Sequence, residues 1–386
     1  MVHRIDSSRS TNVLELLIEN GFDGMAHAME LLINAAMALE REQYLNAKPY
    51  ERTEARATYA NGFKPRAIKT RIGELNLSVP QTRDSKFYPS SLERGMRSER
   101  ALKLALAQMY VEGVSTRKIA KITEELCGFE ISSSQVSKCA ALLDEEIKAW
   151  REKTLGCYPY VILDARYEKV RHGNHVVSCA VLIAIGINEQ GGREVLGVSV
   201  SLSEHEVHWR AFLQQLQARG LHGIEMFTSD AHSGLKAALN AVFPSVAWQR
   251  CQFHLQQNAQ HYVPKKYMKT EVSSDIRAVF NATTKAEAER LLRVVVEKYS
   301  VTAPDLSVWM EQNVPESLTV FKLPESQRKK LRTSNPLERV NEEIKRRTRV
   351  VRIFPNPESC LRLVAALLME ISEEWQNGKR YLPLPN

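Results

Sequence analysis

The sequence predicts a mixed α/β fold, with a sheet-containing core, an all-α insertion and an N-terminal helical region. Residues 157–261 alternate apolar strands with amphipathic helices in the order βββαβαβα. Residues 262–327 carry helical periodicity and are far longer than an ordinary loop. Helical patterns also dominate the first 152 of the 386 residues, and this length favours two or three domains.

Composition points to a globular protein with a polyanionic partner. Hydrophobic residues make up 44% of the chain and charged residues 25%, as in folded soluble domains. The formal net charge is +8, and ten basic residues against three glutamates give residues 328–352 a net charge of +7. Such clustering favours nucleic acid over a membrane surface.

Cysteine usage and hydropathy predict a cytoplasmic, nucleoid-associated protein without a membrane partner. The six cysteines include no CxxC pair, so reduced thiols are expected. The N-terminus lacks the apolar segment of a signal peptide, and the longest mostly apolar run, 176–187, is shorter than a membrane span.

The first two segments are a predicted helical hairpin (1–50) and a basic segment with short strands (51–97). The hairpin either dimerises or packs on its neighbours, and its apolar pattern does not choose between these. In the basic segment, Leu75, Leu77 and Val79 alternate as a short strand. This segment is either a DNA-contacting element or a solvated linker.

Residues 98–152 have the layout of a helix-turn-helix. One helix is capped near Ser115, a break follows at Gly128, and a second helix begins among residues 132–134. The connection is longer than the usual turn, so a plain helical bundle remains the alternative. The candidate DNA contacts in this segment are Arg117, Lys118, Gln135 and Lys138.

Two aspartates follow strands of the predicted core. Asp164 follows an apolar strand at 160–163, and Asp230 follows a later strand at 223–228. Three antiparallel strands and a right-handed crossover would place these two strands side by side and parallel. Either aspartate alone is more typical of a turn, but the pair predicts a site at the carboxyl edge of the sheet.

After the insertion, residues 328–386 should complete the core with a basic helix and a C-terminal amphipathic helix at 358–376. Asn335 is the predicted N-cap of the basic helix, Pro336 its first residue and Glu338 a capping-box glutamate. A capped surface helix explains this pattern. With the two aspartates, however, Glu338 supplies a third carboxylate in a basic field, which suits phosphodiester chemistry with two Mg²⁺ ions, or Mn²⁺ in their place.

Six motifs in order resemble the Mutator-type transposases of bacterial insertion sequences, the IS256 family, over nearly the whole chain. Any one of them would be a weak signal, but the ordered set is highly specific. The motifs are NGFKPRAIKTRIGELNLSVPQTRD (61–84), GVSTRKI (113–119), LDARYEKVR (163–171), SDAHSGL (229–235), WQRCQFHLQQN (248–258) and TSNPLERVNEEIKRRTRVVRIFPN (333–356).

The resemblance implies an RNase H-like catalytic core and a DDE triad of Asp164, Asp230 and Glu338 that binds the metal ions. It also implies cleavage and strand transfer of double-stranded DNA, recognition of terminal inverted repeats by the N-terminal region, and a dimer or larger assembly on element ends and target. The alternatives are a non-catalytic DNA-binding regulator derived from a transposase and an RNase H-like nuclease. The candidate phosphate contacts on the basic helix are Arg339, Lys345, Arg346, Arg347 and Arg349.

Several positions are accessory candidates. Cys251 and His254 have C-x-x-H spacing, but no second ligand pair supports zinc, so packing or orientation near Asp230 is the favoured interpretation. Trp309 in the insertion is either a core side chain or a stacking platform for a base. The remaining accessory candidates are His232, Asn335 and Asn341.

Overall fold

The computed structural model describes residues 7–94 and 97–383 and has the predicted mixed α/β architecture. The chain divides into two compact units, Met1–Leu142 and Leu143–Asn386. Within the described ranges, every helix is too short or too polar to cross a membrane.

The first half of the N-terminal unit contains two helices and a β-hairpin, and the second helix packs on the hairpin. Helices α1 (Ser7–Asn20) and α2 (Met25–Leu45) flank a short 3-10 turn, and strands β1 (Ala60–Thr70) and β2 (Gly73–Thr82) pair antiparallel. One face of β2 is buried against α2. The residues of this core are Met37, Ile68, Leu75, Leu77, Val79 and Leu92.

The sequence predicts short strands in this segment but locates only one, at 75–79 within β2, so the long strand β1 is a difference from the prediction. Most of β1 is solvent-exposed, and only Ile68 and Thr70 are buried. An exposed strand does not show the alternation of apolar and polar residues that identifies a half-buried one. The basic segment is therefore an ordered ribbon rather than an extended linker.

The second half of this unit is a group of three helices, α3 (Arg100–Val111), α4 (Thr116–Cys127) and α5 (Ser133–Ala140). The Ser115 side chain caps α4 by accepting from the Lys118 amide, and Ser132 forms a capping box with Gln135. Gly128 ends α4 with a positive φ of 71°. The two helices of the predicted motif begin and end near the expected residues.

The C-terminal unit is built on a five-stranded mixed sheet with the order β5-β4-β3-β6-β7. Strands β3 to β5 pair antiparallel, whereas β6 pairs parallel with both β3 and β7. The predicted parallel neighbours are confirmed as β3 and β6. The strands are β3 (Tyr160–His172), β4 (His175–Ile187), β5 (Arg193–Ser201), β6 (Met226–Ser229) and β7 (Ala247–Arg250).

Strand β3 does not end at Asp164 as predicted but continues to His172, because residues 165–172 pair with β4 in a long ribbon. Helix α6 (Asp144–Glu152) precedes this strand and belongs to the same unit; its Asp144 accepts a hydrogen bond from Arg362. Helices α7 (Glu206–Ala218), α8 (Ser233–Val242) and α9 (Gln252–Ala259) follow β5, β6 and β7, which completes the predicted βββαβαβα order.

An all-helical insertion follows α9. It contains α10 (Met268–Phe280), α11 (Lys285–Tyr299), α12 (Pro304–Asn313), two 3-10 turns and α13 (Glu325–Leu331). The buried Gln249 of β7 holds the turns in place, because its side chain donates to the Ser317 carbonyl at 2.7 Å and accepts from the Val320 amide at 2.7 Å.

Two further helices, α14 (Asn335–Val351) and α15 (Pro357–Gln376), return the chain to the sheet. Helix α15 packs on β5, where the Ser372 hydroxyl accepts from the Val195 amide at 3.1 Å. Helix α14 buries Leu337, Val340 and Ile344, as the periodicity predicts. These contacts place the start of α14 beside the carboxyl edge of the parallel strands.

Candidate active site

Three residues lie just past the last paired positions between β3 and β6 and between β6 and β7, at one edge of the sheet. The β3–β6 pairing reaches Ile162 and Thr228, and Asp164 and Asp230 each come two residues later. On the other side of β6, Ser229 pairs with Arg250, and the Cys251 amide donates to the Ser229 carbonyl at 2.7 Å. The sheet register thus sets Asp164, Asp230 and Cys251 along one edge.

Asp164 is a buried carboxylate, only 8% exposed. Its Oδ2 accepts a 2.8 Å hydrogen bond from Asn341 Nδ2, and its Oδ1 accepts from the Ala165 amide at 3.0 Å. Burial raises the pKa of Asp164 to about 7; the charge of His254 opposes this rise and that of Asp230 adds to it. The negative charge of Asp164 therefore lacks full compensation.

Asp230 is partly buried at the turn between β6 and α8. Its Oδ1 accepts from the His232 amide at 3.3 Å, which fixes the carboxylate at the start of the helix. The His232 ring lies 3.8 Å from Glu204, measured from Nε2 to the carboxylate oxygen. His232 is therefore a neighbour of the aspartate pair.

Glu204 is a fourth carboxylate at this site, and the sequence analysis did not identify it. It lies in the loop between β5 and α7 and accepts a 2.9 Å hydrogen bond from the Tyr167 hydroxyl. Burial raises the pKa of Glu204; Tyr167 and His232 oppose the rise, and the charge of Asp230 adds to it. The loop has no motif that would have marked this residue.

The start of α14 is tied to the ends of β6 and β7. The Thr228 hydroxyl donates to the Leu331 carbonyl at 2.8 Å, and the Gln252 amide donates to the Arg332 carbonyl at 3.0 Å. The Ser334 amide and hydroxyl both point at Cys251 Sγ, at 3.4 and 3.3 Å. These bonds fix the position of the helix relative to Asp230.

The predicted cap of α14 is corrected by one residue. Ser334, not Asn335, is the N-cap, and Asn335 is the exposed first residue of the helix. The Ser334 hydroxyl contacts Cys251 instead of the helix amides, and the expected capping box between Asn335 and Glu338 does not form. The Glu338 carboxylate is thus free of a capping role.

Glu338 projects from the first turn of α14 and is partly buried. Its buried Oε1 finds no hydrogen-bond partner among the described residues. Asn341, which bonds Asp164, lies three residues further along and so shares a helix face with Glu338. Burial raises the pKa of Glu338; the charge of His254 opposes the rise and that of Glu342 adds to it.

His254 supplies positive charge among these carboxylates. Interaction with the Cys251 thiol raises the pKa of His254 to about 9; burial opposes the rise, and the charges of Asp164 and Asp230 add to it. Burial opposes ionisation of the Cys251 thiol, but His254 and Ser334 together lower its pKa. The C-x-x-H spacing thus places a cation beside the sheet edge and a thiol beneath the start of α14.

The carboxylates suit a hard divalent cation in their chemistry, because such ions prefer oxygen ligands. The unpartnered Glu338 Oε1 also fits a site that gains a cation, since a buried carboxylate oxygen without a partner is costly. As the side chains stand, no three His, Cys, Asp or Glu residues in the described part of the chain are arranged to hold a metal ion.

The basic residues predicted to contact phosphates on α14 differ in exposure. Arg347 is only 6% exposed, and its Nε donates to Glu343 Oε1 at 2.8 Å. The buried Arg347 side chain is therefore not a candidate phosphate contact. Arg346 is exposed but also pairs with Glu343, whose pKa falls to about 2, chiefly through the Arg346 hydrogen bonds. Of the five predicted contacts, Arg339, Lys345 and Arg349 are exposed and form no ion pair with a described residue.

The predicted contacts in the N-terminal unit all lie on the surface. Arg117 and Lys118 are exposed in the first turn of α4, and Gln135 and Lys138 are exposed on α5. The Gln135 side chain accepts from the Ser132 amide at 3.0 Å, so it also closes the cap of its own helix.

Trp309 lies at intermediate exposure on α12 of the insertion. Its ring stacks on Tyr262 with a centroid distance of 5.1 Å, and the Arg250 guanidinium lies 5.5 Å from the ring centre. Trp309 is therefore part of an aromatic and cationic group at the insertion surface rather than a fully buried core residue.

Comparison with known proteins shows the family of this chain. The family described as Transposase, Mutator family, matches residues 3–378. The transposase for insertion sequence element IS406 of Burkholderia multivorans is 53% identical, with 99% of each chain covered. The transposase for IS256 in transposon Tn4001 of Staphylococcus aureus is 36% identical over 98% of this chain and 97% of its own. The chain belongs to the Mutator family of transposases.

Proposed function

We propose that this protein is a DDE transposase with an RNase H-like core, which cleaves DNA at the ends of its insertion sequence and joins those ends to target DNA. One observation carries the proposal. Asp164 and Asp230 follow paired positions on adjacent parallel strands, and the Asn341–Asp164 hydrogen bond holds against them the helix that bears Glu338. Relatives named as transposases of insertion sequences support the same activity.

Asp164, Asp230 and Glu338 would hold the metal ions, with Mg²⁺ as the expected species and Mn²⁺ as a substitute. When bound, two such ions supply activation of the attacking oxygen and neutralisation of charge on the scissile phosphate. The carboxylates have to draw together from the positions they occupy here, because no group of three in the described residues is arranged for ligation.

The protein's own groups contribute positioning and charge. Asn341 orients the Asp164 carboxylate by donating to Oδ2, and Ser334 and Cys251 fix the start of the helix that carries Glu338. Lys345 and Arg349 lie exposed on the same helix and would contact DNA phosphates. Water is the expected nucleophile for cleavage and a 3′-hydroxyl for joining, without a covalent protein intermediate.

Replacement of Glu338 provides the test. Glu338→Gln should abolish Mg²⁺-dependent cleavage and joining of a duplex carrying the inverted repeats that flank the coding sequence, while binding of that duplex is retained. Glu342→Gln is the matched control, because Glu342 is an exposed glutamate on the same helix. Joining by the Glu338→Gln protein would show that the catalytic assignment is wrong.

The same assay separates this proposal from its alternatives. A DNA-binding regulator would bind the inverted repeats with no cleavage by the wild-type protein. A nuclease would cut without joining, and it would show no preference for element ends. A homodimer or larger assembly on two ends is the expected active form, acting on chromosomal DNA in the nucleoid.

A further inference from the structure

At the open end of the β1–β2 hairpin, three arginine side chains stack on two aromatic rings. The Arg41 guanidinium lies 4.5 Å from the centre of the Phe63 ring. The guanidinium groups of Arg56 and Arg83 each lie 5.4 Å from the centre of the Tyr59 ring. We call these residues, Arg41, Arg56, Tyr59, Phe63 and Arg83, the arginine–aromatic cluster.

The cluster is open to solvent although it contains large rings. Tyr59 is 59% exposed and Phe63 is 56% exposed. Arginine stacked on an aromatic face keeps its planar N–H edge available for hydrogen bonds. The rings thus contact the faces of the guanidinium groups and leave the N–H edges for hydrogen bonds.

The positive charge of the cluster is not neutralised within the unit. Arg41 donates to the Gly62 carbonyl at 3.1 Å, and Arg56 donates to the Glu51 carbonyl at 2.7 Å, so both bond backbone oxygens. No carboxylate of a described residue lies within ion-pair distance of Arg41, Arg56 or Arg83, or of the adjacent Lys64. By contrast, Arg71 in the turn of the same hairpin pairs with Glu99 at 3.2 Å.

Helix α2 holds one edge of the hairpin that carries the cluster. On β2, the Asn76 amide donates to Glu30 at 2.9 Å and the Ser78 amide to Asn34 at 2.8 Å, so α2 side chains occupy its outer edge. The other strand, β1, is bridged at Lys69 to Ser98, but the rest of its outer edge pairs with no other described strand. A two-stranded ribbon of this kind is narrow enough to lie along a DNA groove.

We propose that the arginine–aromatic cluster and Lys64 form a second DNA-binding surface of the N-terminal unit, which contacts the phosphates of double-stranded DNA. This inference rests on the proposed function, which makes DNA the partner. Arg41 and Arg56 keep N–H groups beyond those that bond backbone oxygens, and such groups match phosphate oxygens. Four cations close together without a carboxylate partner among the described residues favour a polyanion. An acidic protein surface is the competing partner, and the test below distinguishes it.

The test removes two charges that support little else in the fold. The Arg83 side chain lies over the Tyr59 ring and forms no hydrogen bond or ion pair with a described residue, and Lys64 is exposed on β1. The double variant Lys64→Gln/Arg83→Gln should therefore fold normally. In fluorescence anisotropy with the inverted-repeat duplex, its affinity should fall roughly ten-fold, and the slope of log affinity against log salt should fall by about 2.

The matched control is Lys285→Gln/Arg290→Gln, which removes two exposed charges that pair with glutamates on α11. This control should keep the wild-type affinity and slope. An unrelated duplex should lose affinity for the Lys64/Arg83 variant to the same extent, because phosphate contacts do not read sequence. Unchanged affinity and slope in the Lys64→Gln/Arg83→Gln protein would overturn the proposal and leave an acidic protein as the partner.

A second measurement uses the wild-type chain and does not depend on a variant. Phenylglyoxal modifies accessible arginines, and mass spectrometry reports the extent at each position. Bound duplex should protect Arg83 and leave Arg290 reactive; equal reactivity of Arg83 with and without DNA would refute the surface. If the wild-type protein failed to bind or cleave element ends at all, the proposed function itself would fail, which is a distinct result.

Discussion

The Ser334 hydroxyl lies 3.3 Å from the Sγ of Cys251, a contact between residues 83 positions apart. Cys251 follows β7 and Ser334 precedes α14, so the whole insertion lies between them in sequence. The contact closes the insertion at its base. It therefore sets the position of Glu338 relative to the sheet edge, whatever the insertion itself contacts.

Replacement of Cys251 should loosen the position of Glu338 relative to the sheet edge. Cys251→Ala removes the Ser334 contact and leaves a small cavity at a fully buried site, which should lower the free energy of unfolding by about 1–3 kcal/mol. Cleavage of element ends should fall more than ten-fold, which corresponds to a rise of roughly 1.4 kcal/mol or more in the activation free energy, with DNA binding retained. Thermal melting and a cleavage assay measure the two effects.

Cys157→Ala is the control for Cys251→Ala, because this cysteine is only partly buried and lies before β3. It should melt and cleave like the wild type. If both cysteine variants behaved alike, the Ser334–Cys251 contact would have no special part in positioning α14.

Loss of the Asn341 amide should change the pH dependence of cleavage. Asn341 donates to Asp164 Oδ2, and a donor to a carboxylate favours its ionised form. Asn341→Ala should therefore raise the pKa of Asp164 further and move the acidic limb of the pH–rate profile to higher pH. Cleavage rates from pH 6 to 9 test this, with Asn377→Ala as an exposed-amide control. A rate that drops equally at every pH would contradict the role of Asn341.

The sequence predicted the strand neighbours because their physical signals are local. Apolar runs mark the strands from β3 to β7, and the right-handed crossover rule makes β3 and β6 parallel neighbours. Asp164 and Asp230 come together for that reason alone. Ser115 and Ser132 likewise cap α4 and α5 as their sequence context indicates.

Other features depend on contacts that no local pattern records. Glu204 joins the site because Tyr167, on the extension of β3, reaches it from a different part of the chain. Ser334 replaces Asn335 as the N-cap because Cys251 attracts its hydroxyl. The burial of Arg347 did have a signal, since it continues the buried stripe of Val340 and Ile344 by three residues.

Substitution of Arg347 should lower stability, whereas substitution of Arg349 should weaken DNA binding. Arg347 is buried and donates to Glu343, which also pairs with Arg346, so Arg347→Ala removes packing and a charged hydrogen bond and should cost roughly 2 kcal/mol of unfolding free energy. Arg349 is exposed, so Arg349→Ala should keep the wild-type stability and weaken DNA binding, with a salt slope lower by about 1. Chemical denaturation and anisotropy titrations measure these outcomes. A reversed pattern would place Arg347 at the DNA surface.

The raised pKa of Asp164 makes the stability of the metal-free protein depend on pH. Its folded-state pKa is about 7 against an ordinary value of 3.8, so the fold favours the protonated carboxyl. That contribution is fully present below about pH 4 and is lost as pH rises towards 7. Because Asp164→Asn mimics the neutral form, this variant should gain stability over the wild type across that range, by at most about 4 kcal/mol.

Urea unfolding of both proteins in EDTA at pH 4.5, 5.5, 6.5 and 7.5 tests the prediction. The difference in unfolding free energy should grow with pH and level off above 7. The raised pKa of His254, about 9 against an ordinary 6.5, adds stability that is lost only as pH rises above about 6.5, so His254 does not produce the growth of the difference from pH 4.5 to 6.5. A difference that stays constant from pH 4.5 to 7.5 would mean that Asp164 is already ionised throughout. Added Mg²⁺ should reduce the difference in unfolding free energy between the two proteins at pH 7.5, since a cation stabilises the ionised carboxylate that Asp164→Asn lacks.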